Sequence, residues 1–511
     1  MVESRVKKSF LNARVNVFFY CVTLVLSFFS RKLFLDMLGA NFVGLTGTLQ
    51  NLLGFLNLAE LGIGTSIGYV LYKPLFEKNQ QKINEIISVF GYLYRKIGLF
   101  ILVVGFILSC FLALIFKNTV FSFPLIYFTF YGFLVSSLFG YFVNYRQVLL
   151  GADQRNYIVT GYYQTIVITK TLVQMAAAYY TRNYYLWVII ELSFNIVYSF
   201  ILNWRIDKEY PWLKSSILLG KEKYPENKII ITKAKQLFVH VLAGTARNQF
   251  LPFLVYAFVS LKAVAYYGNY LLIISKVNML VNNFLGSTGA GVGSLIAEND
   301  QKKIQRVFWE LTSLRFIIAG LLTFALYSLI DPFIAIWLGK EYILSDTVRI
   351  IILGNFFISQ FRGTNDQFIF GYGLFQDTWA PVVTLLITLI VALVGGYFWG
   401  LPGVLLGDIA SSITIISIWK PYFLYKEGFR LPVRFYWLHI FKYGAVLIVS
   451  WIGTWLITTC LPLALDPSEG YGKWILYALY QVSLFTVLLV TLMYFVSHGV
   501  RNLWARFIHK R

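Results

Sequence analysis

Fourteen apolar runs, most of them about twenty residues long, follow one another along this chain with only short polar breaks. No other feature restricts the fold so strongly. A run of that length crosses a hydrocarbon core of about 30 Å as a helix, and in lipid each segment has to satisfy its own backbone hydrogen bonds. The runs centre on residues 15–35, 45–71, 97–116, 124–144, 157–180, 184–203, 237–259, 266–296, 309–336, 347–370, 378–399, 402–420, 438–462 and 474–497. Only 13% of the 511 residues are charged, about half the share usual in soluble domains (about 25%). The expected fold class is therefore an all-α polytopic membrane protein of about fourteen transmembrane helices.

An even number of spans places both termini on one side, and Lys and Arg indicate which. On these boundaries the N-terminus, the alternate loops and the tail HGVRNLWARFIHKR carry 29 of the 44 basic residues. The opposite loops hold five (Lys117, Arg182, Lys262, Lys340, Lys473) and the runs hold ten. That bias puts the basic loops and both termini in the cytoplasm of a cell membrane. It also accounts for the net charge of +21 by a basic face beside anionic lipid, with no nucleic-acid partner. The first run follows Arg5, Lys7, Lys8 and Arg14 as a signal peptide would. No small-residue cleavage site follows it, and it is expected to stay as a helix. Cys21, Cys110 and Cys460 all fall within runs and imply no disulfide framework.

Two glycine-rich stretches imitate enzyme motifs. GTSIG (64–68) fits a Gly-x-Ser-x-Gly nucleophile around Ser66, but it lies in an apolar run and not at a strand-to-helix turn. GSTGAGVG (286–293) lacks the Gly-Lys-Ser/Thr ending of a phosphate loop. His240, His439, His498 and His509 are scattered. No catalytic residue, metal ligand or cofactor site is expected. The loops are short, with the longest connection at about 205–236, so neither face carries a soluble domain.

An internal repeat is legible at a fixed offset. GADQRNY (151–157) and GLFQDTW (373–379) share Gly, Gln and an aromatic residue, each pair 222 positions apart. Shifting the start of run one by the same offset reaches 237, where run seven begins. The offset joins odd run to odd run, so the halves share one orientation, the parallel arrangement found in rocking transporters. The expected organisation is an N-terminal six-helix lobe (1–204), a cytoplasmic linker (205–236), a C-terminal six-helix lobe (237–425), and two further helices with a basic tail (426–511).

Ionisable groups inside the runs are the main functional signal, because each costs about 2.5–3.5 kcal/mol at the bilayer centre and so belongs in an interior. The first half holds Arg31, Lys32, Glu60, Lys170 and Glu191, and the second Arg247, Lys276, Arg315, Arg362, Asp366 and Asp408. Several form polar stripes at helical spacing. These are Asn355, Ser359, Arg362 and Asp366; Asn269, Lys276 and Asn283; Thr23, Ser27 and Arg31; Gln50, Asn57 and Gly64, with Glu60 beside them; and Glu191, Asn195 and Ser199. Such stripes either line a polar cavity or hold helices together. Arg362 and Asp366, one turn apart, suit pairing within their helix. Glu60, Gly64 and Gly68 step by four, so the glycines let a backbone or ligand approach the carboxylate. The basic groups outnumber the acidic ones, and a cationic cavity suits an anion such as phosphate.

The stretches KLFLDMLGANFVGLTGTLQNLLGFLNLAELGIGTSIGYVLYKPL (32–75), YRQVLLGADQRNYI (145–158) and GLFQDTWAPVVTLLITLIVALVGGYFWGLPGVLLGDIASS (373–412) resemble bacterial polysaccharide flippases, the Wzx-like branch of the multidrug/oligosaccharidyl-lipid/polysaccharide (MOP) exporter superfamily. Glu60 and its glycines match the family motif position by position. RGTNDQ (362–367) departs from the pattern, so the resemblance transfers no role to Arg362 or Asp366.

The resemblance implies a MATE-like fold of two lobes in the bacterial inner membrane. It implies that undecaprenyl-diphosphate-linked oligosaccharide, an O-antigen, capsule or exopolysaccharide repeat unit, crosses the membrane by alternating access. Membrane lipids, a polysaccharide polymerase and chain-length machinery are the implied partners. Joined to the residue pattern, it gives Arg31, Lys170, Arg247, Lys276, Arg362, Asn269 and Asn283 as expected substrate-binding residues, and Glu60 and Asp366 as coupling or charge-balance residues. A drug/cation antiporter of the same superfamily would favour an acidic, aromatic cavity instead. A membrane polymerase or transferase would need a larger outer loop than these breaks supply.

Overall fold

The computed structural model describes residues 5–60, 63–227, 249–285, 288–374, 376–463 and 465–508. Every long described element is a helix, and the chain divides into two compact units, Met1–Ala265 and Tyr266–Arg511.

The first unit contains α1 (Arg5–Leu56), α2 (Ile63–Phe76), α3 (Gln80–Cys110), α4 (Phe123–Phe142), α5 (Asn156–Thr181), α6 (Tyr184–Glu209) and the short α7 (Gln249–Phe258). Local signals set several boundaries. Asn79 caps α3 by accepting from the Lys82 amide at 2.9 Å, and Asn183 caps α6 from the Leu186 amide at 3.2 Å. Gly39, at φ 82°, breaks α1 between the first and second apolar runs, in a conformation glycine adopts without cost. The unit packs around α1, where buried Phe42 stacks on Tyr184 (ring centroids 4.5 Å apart) and meets the edge of Trp187 at 5.7 Å. A β-carbon on Gly44 would lie 1.9 Å from the Leu261 carbonyl oxygen, so α1 takes the next helix backbone to backbone.

That next helix, α8 (Leu261–Leu285), crosses the border between the units. The border thus falls later than residue 237, where the sequence reading opens the second lobe. Residues 228–248 lie outside the described residues.

The second unit continues with α9 (Thr288–Ala297), α10 (Gln301–Trp337), α11 (Asp346–Phe361), α12 (Gly363–Gly371), α13 (Trp379–Trp399), α14 (Leu401–Ser411), α15 (Arg434–Cys460), α16 (Tyr471–Val496) and α17 (His498–Ile508). Its closest helix pair is α13 with α14. A β-carbon on Gly403 would sit 1.9 Å from the Gly395 carbonyl oxygen and one on Gly407 2.3 Å from that of Thr388, while Thr388 donates to Ser411 Oγ at 2.8 Å. Small residues and a hydroxyl contact are what bring helices together in lipid, where apolar surface supplies no drive.

The 222-residue offset reappears in the helix starts. Gln80, Phe123 and Asn156 open α3, α4 and α5, and Gln301, Asp346 and Trp379 open α10, α11 and α13, each within one residue of that offset. The packing order also repeats inside each unit. In the first, α3 lies on α4, α4 on α6 and α6 on α5; in the second, α10 lies on α11, α11 on α14 and α14 on α13.

Nine helices among the described residues are long and apolar enough to cross a membrane. Their outer faces are apolar and bare, as at Phe441 and Trp455 on α15 and Leu479 and Val487 on α16. The chain is a multi-pass membrane protein. The run 45–71, expected as one crossing helix, is instead the end of α1, a 3₁₀ turn (Asn57–Glu60) and the start of α2. Glu60 thus lies in the 3₁₀ turn, and Gly64 and Gly68 lie in α2.

Candidate functional site

The break after α1 is what frees Glu60. In the first unit the 3₁₀ turn carries Asn57 and Glu60 to the edge of a cavity of about 690 Å³, walled by α3, α4 and the segment from Tyr145 to Val159. The Tyr94 hydroxyl donates to Glu60 Oε1. Tyr141 and Ser137 donate to Asn57 Oδ1 at 3.0 and 3.3 Å. The rings of Phe90, Tyr94 and Tyr141 lie side by side, with centroids 3.9 and 5.4 Å apart, and fix those hydroxyls. Gln147 and Asn156 add polar groups to the wall, and among the described residues no Lys or Arg lines it. Among the described residues no ion pair engages Glu60. A carboxylate, an amide oxygen and hydroxyls facing open space form a donor set for a proton or a small cation. The side chain of Ser66 lies outside the described residues.

Arg31 lies on the other side of the α1 break and donates from Nη2 to the Ala265 carbonyl at 2.8 Å, reaching the second turn of α8. Lys170 and Glu191 meet across α5 and α6 at 2.6 Å, both largely buried. Gln174 Nε2 and Asn195 Nδ2 complete the carboxylate at 3.1 and 3.3 Å. The Glu191, Asn195, Ser199 stripe bonds protein groups along its length. Asn144 donates to Ser199 Oγ at 3.0 Å, and Arg146 bonds Asn203 Oδ1 and Asp207 one and two turns further on.

In the second unit Arg362 Nε pairs with Asp366 at 2.9 Å, as the spacing suggests, and the pair stays partly exposed. Arg315 is buried. Its guanidinium lies against Gly363, where a β-carbon would come 2.3 Å from Nη1, and Asp366 is the carboxylate whose charge acts on it. Asn269 is fully buried, and Lys276 is half-buried one heptad along α8. Arg247 and the side chain of Asn283 lie outside the described residues.

One cluster escaped the sequence reading. Tyr270 donates to Asp331 Oδ1 at 2.6 Å and accepts from the Leu344 amide at 3.0 Å. Arg349 pairs with Asp331 and, at 2.7 Å, with Asp346, and its guanidinium lies over the Tyr327 ring at 4.7 Å. Asp331 stands inside the ninth apolar run, and that placement was the signal that would have found it.

A two-unit, all-helical, multi-pass protein with an internal repeat and ionisable groups inside both units defines the class. Among solved structures, the chain is similar to the lipid II flippase MurJ in an inward closed conformation, with a TM-score of 0.67 and 15% identity over 95% of this chain and 99% of that one. It is also similar to an inward-facing multidrug resistance MATE family transporter of the MOP superfamily, with a TM-score of 0.56 and 12% identity over 79% and 94% of the chains. A MOP superfamily transporter from Pyrococcus furiosus, described as having a binding pocket of reverse polarity, matches at 0.50 and 12% over 81% and 95%. At these identities the likeness establishes the fold, which is that of MurJ and the MATE transporters. No family model matches the sequence, and no curated protein matches it.

Proposed function

We propose that this protein is a flippase that carries undecaprenyl-diphosphate-linked oligosaccharide across the bacterial inner membrane by alternating access, with both termini in the cytoplasm. The observation that carries the reading is the extent of the fold match. The MurJ structure leaves about a twentieth of this chain uncovered, less than the 426–511 region alone, so the match enters the final pair of helices; the MATE structure leaves about a fifth uncovered. The excess of basic residues inside the apolar runs, and the likeness of residues 32–75, 145–158 and 373–412 to polysaccharide flippases, support the same reading.

In this reading Arg31, Arg247, Lys276, Arg362, Asn269 and Asn283 serve the diphosphate and sugar, Lys170 stays paired with Glu191, and Asp366 balances Arg362. Glu60, held by Tyr94 and facing a cavity that no Lys or Arg lines among the described residues, supplies the coupling carboxylate. Polysaccharide polymerase and chain-length machinery would receive the product. The test is surface polysaccharide in a strain lacking the gene, complemented with Arg31→Ala or Lys276→Ala. At normal protein level both variants are expected to lose polymer, and normal polymer from both would sink the binding role. The Glu60 cavity favours one second reading, a cation-coupled antiporter. Resistance to cationic dyes on expression, with unchanged polysaccharide, would select it.

A further inference from the structure

The second unit holds a cationic pocket that the transport reading does not use. It lies where three helix ends meet: the start of α10, the first turns of α15, and the junction of α16 with α17. Its volume is about 380 Å³, within the usual range for a small bound group. Lys302, Arg306, Trp309, His439, His498 and Asn502 supply its wall.

The pocket is built, because the three ends are fixed by buried contacts. Ser313 Oγ, Tyr443 Oη and Ser497 Oγ form a closed triangle with sides of 2.7, 2.8 and 3.0 Å. A β-carbon on Gly499 would fall 2.4 Å from the Trp309 carbonyl oxygen, so α17 turns away from α16 at the one residue that permits the approach. The ring of His439 lies 4.2 Å from that of Trp309 and is tethered through Nδ1 to the Phe435 carbonyl at 2.7 Å. Arg501 donates to His498 Nδ1 at 2.9 Å, which leaves the proton of a neutral ring on Nε2.

Charge is one-sided here. The carboxylate within the fold at this level, Glu310, is buried, pairs with Arg506 at 3.1 Å and also lies in the field of Arg306, so two basic groups share it, and Glu298 is paired with Lys303. No ion pair engages Lys302 or Arg306 among the described residues. Two observations place this anion site at a lipid surface. The pocket lies at the ends of three helices long and apolar enough to cross a membrane. The helix α17 that closes it is amphipathic, with Val500 buried and Trp504, Arg501 and Arg506 exposed, the pattern of a helix lying in the headgroup plane. Beside it, Leu438 and Phe441 on α15 and Phe495 on α16 present bare apolar surface suited to acyl chains.

We propose that this pocket binds the phosphate of a lipid headgroup, with Lys302 and Arg306 on the phosphate oxygens and the His498 ring and Asn502 donating hydrogen bonds. The site is separate from any transport cavity, and its test needs no transport. Native mass spectrometry of the full-length protein would be run with dioleoylphosphatidylglycerol, dioleoylphosphatidylcholine, farnesyl diphosphate and inorganic phosphate. Phosphatidylglycerol is expected to bind more tightly than phosphatidylcholine, and Lys302→Gln/Arg306→Gln to weaken it about thirtyfold, at roughly 1 kcal/mol per basic residue. Lys426→Gln/Arg430→Gln, which removes equal charge elsewhere in the second unit, should leave it unchanged. Should the double variant fail to fold, exposed Lys302→Gln alone is expected to weaken binding about fivefold. Farnesyl diphosphate displacing phosphatidylglycerol would identify the lipid as a prenyl diphosphate with the site intact. Displacement by inorganic phosphate alone, or equal loss in both double variants, would overturn the proposal.

Discussion

Tyrosine hydroxyls hold carboxylates in both units, among them Glu60 by Tyr94 in the first and Asp331 by Tyr270 in the second. These two differ in what else they meet. Asp331 is closed in by the Arg349 guanidinium, whereas Glu60 has hydroxyls and an open cavity and, among the described residues, no cation within ion-pair distance. A buried carboxylate matched by a guanidinium is neutralised and belongs to the scaffold. A carboxylate matched only by hydroxyls retains an appetite for a proton or a small cation.

The comparison breaks most visibly at Asp331. Asp331→Ala strands Arg349 with Asp346 alone and is expected to cost about 3–5 kcal/mol, read as a fall in detergent-solubilised thermal stability. A loss no larger than that of Glu60→Ala would remove the distinction drawn between the two sites. Lys170→Met should cost about 2–3 kcal/mol because Glu191 is left buried with amide partners only. The double variant Lys170→Met/Glu191→Leu should recover most of that loss; failure to recover would mean that Lys170 is held by something other than its pair. The smallest expected stability effect is at Glu60. Glu60→Gln keeps an acceptor for Tyr94 and should shift stability by less than about 1 kcal/mol while abolishing coupled transport. Transport at the normal rate would return Glu60 to a structural role.

Much of the architecture was legible because its signals are local. Apolar runs mark the helices, Asn79 and Asn183 mark starts, Gly39 marks a break, and the shared Gly and Gln of 151–157 and 373–379 mark the repeat. The pairing of Arg362 with Asp366 was equally local, one helical turn apart. Lys170 and Glu191 were not, since they belong to different helices and hydropathy carries no information about which faces meet. The 3₁₀ turn at Glu60 was hidden for a related reason. Leu58 and Ala59 within it are apolar, none of its four residues is a helix breaker, and the run continues through it without a proline.

The sequence by itself determined that this chain lies in a membrane as a repeated set of helices with charges in their interiors, because each helix closes its own backbone hydrogen bonds and so follows from its own residues. Only tertiary structure decided which of those charges remain available. Compensation depends on groups brought together from separate helices, and it neutralised Lys170, Glu191 and Asp331 while leaving Glu60 facing open space.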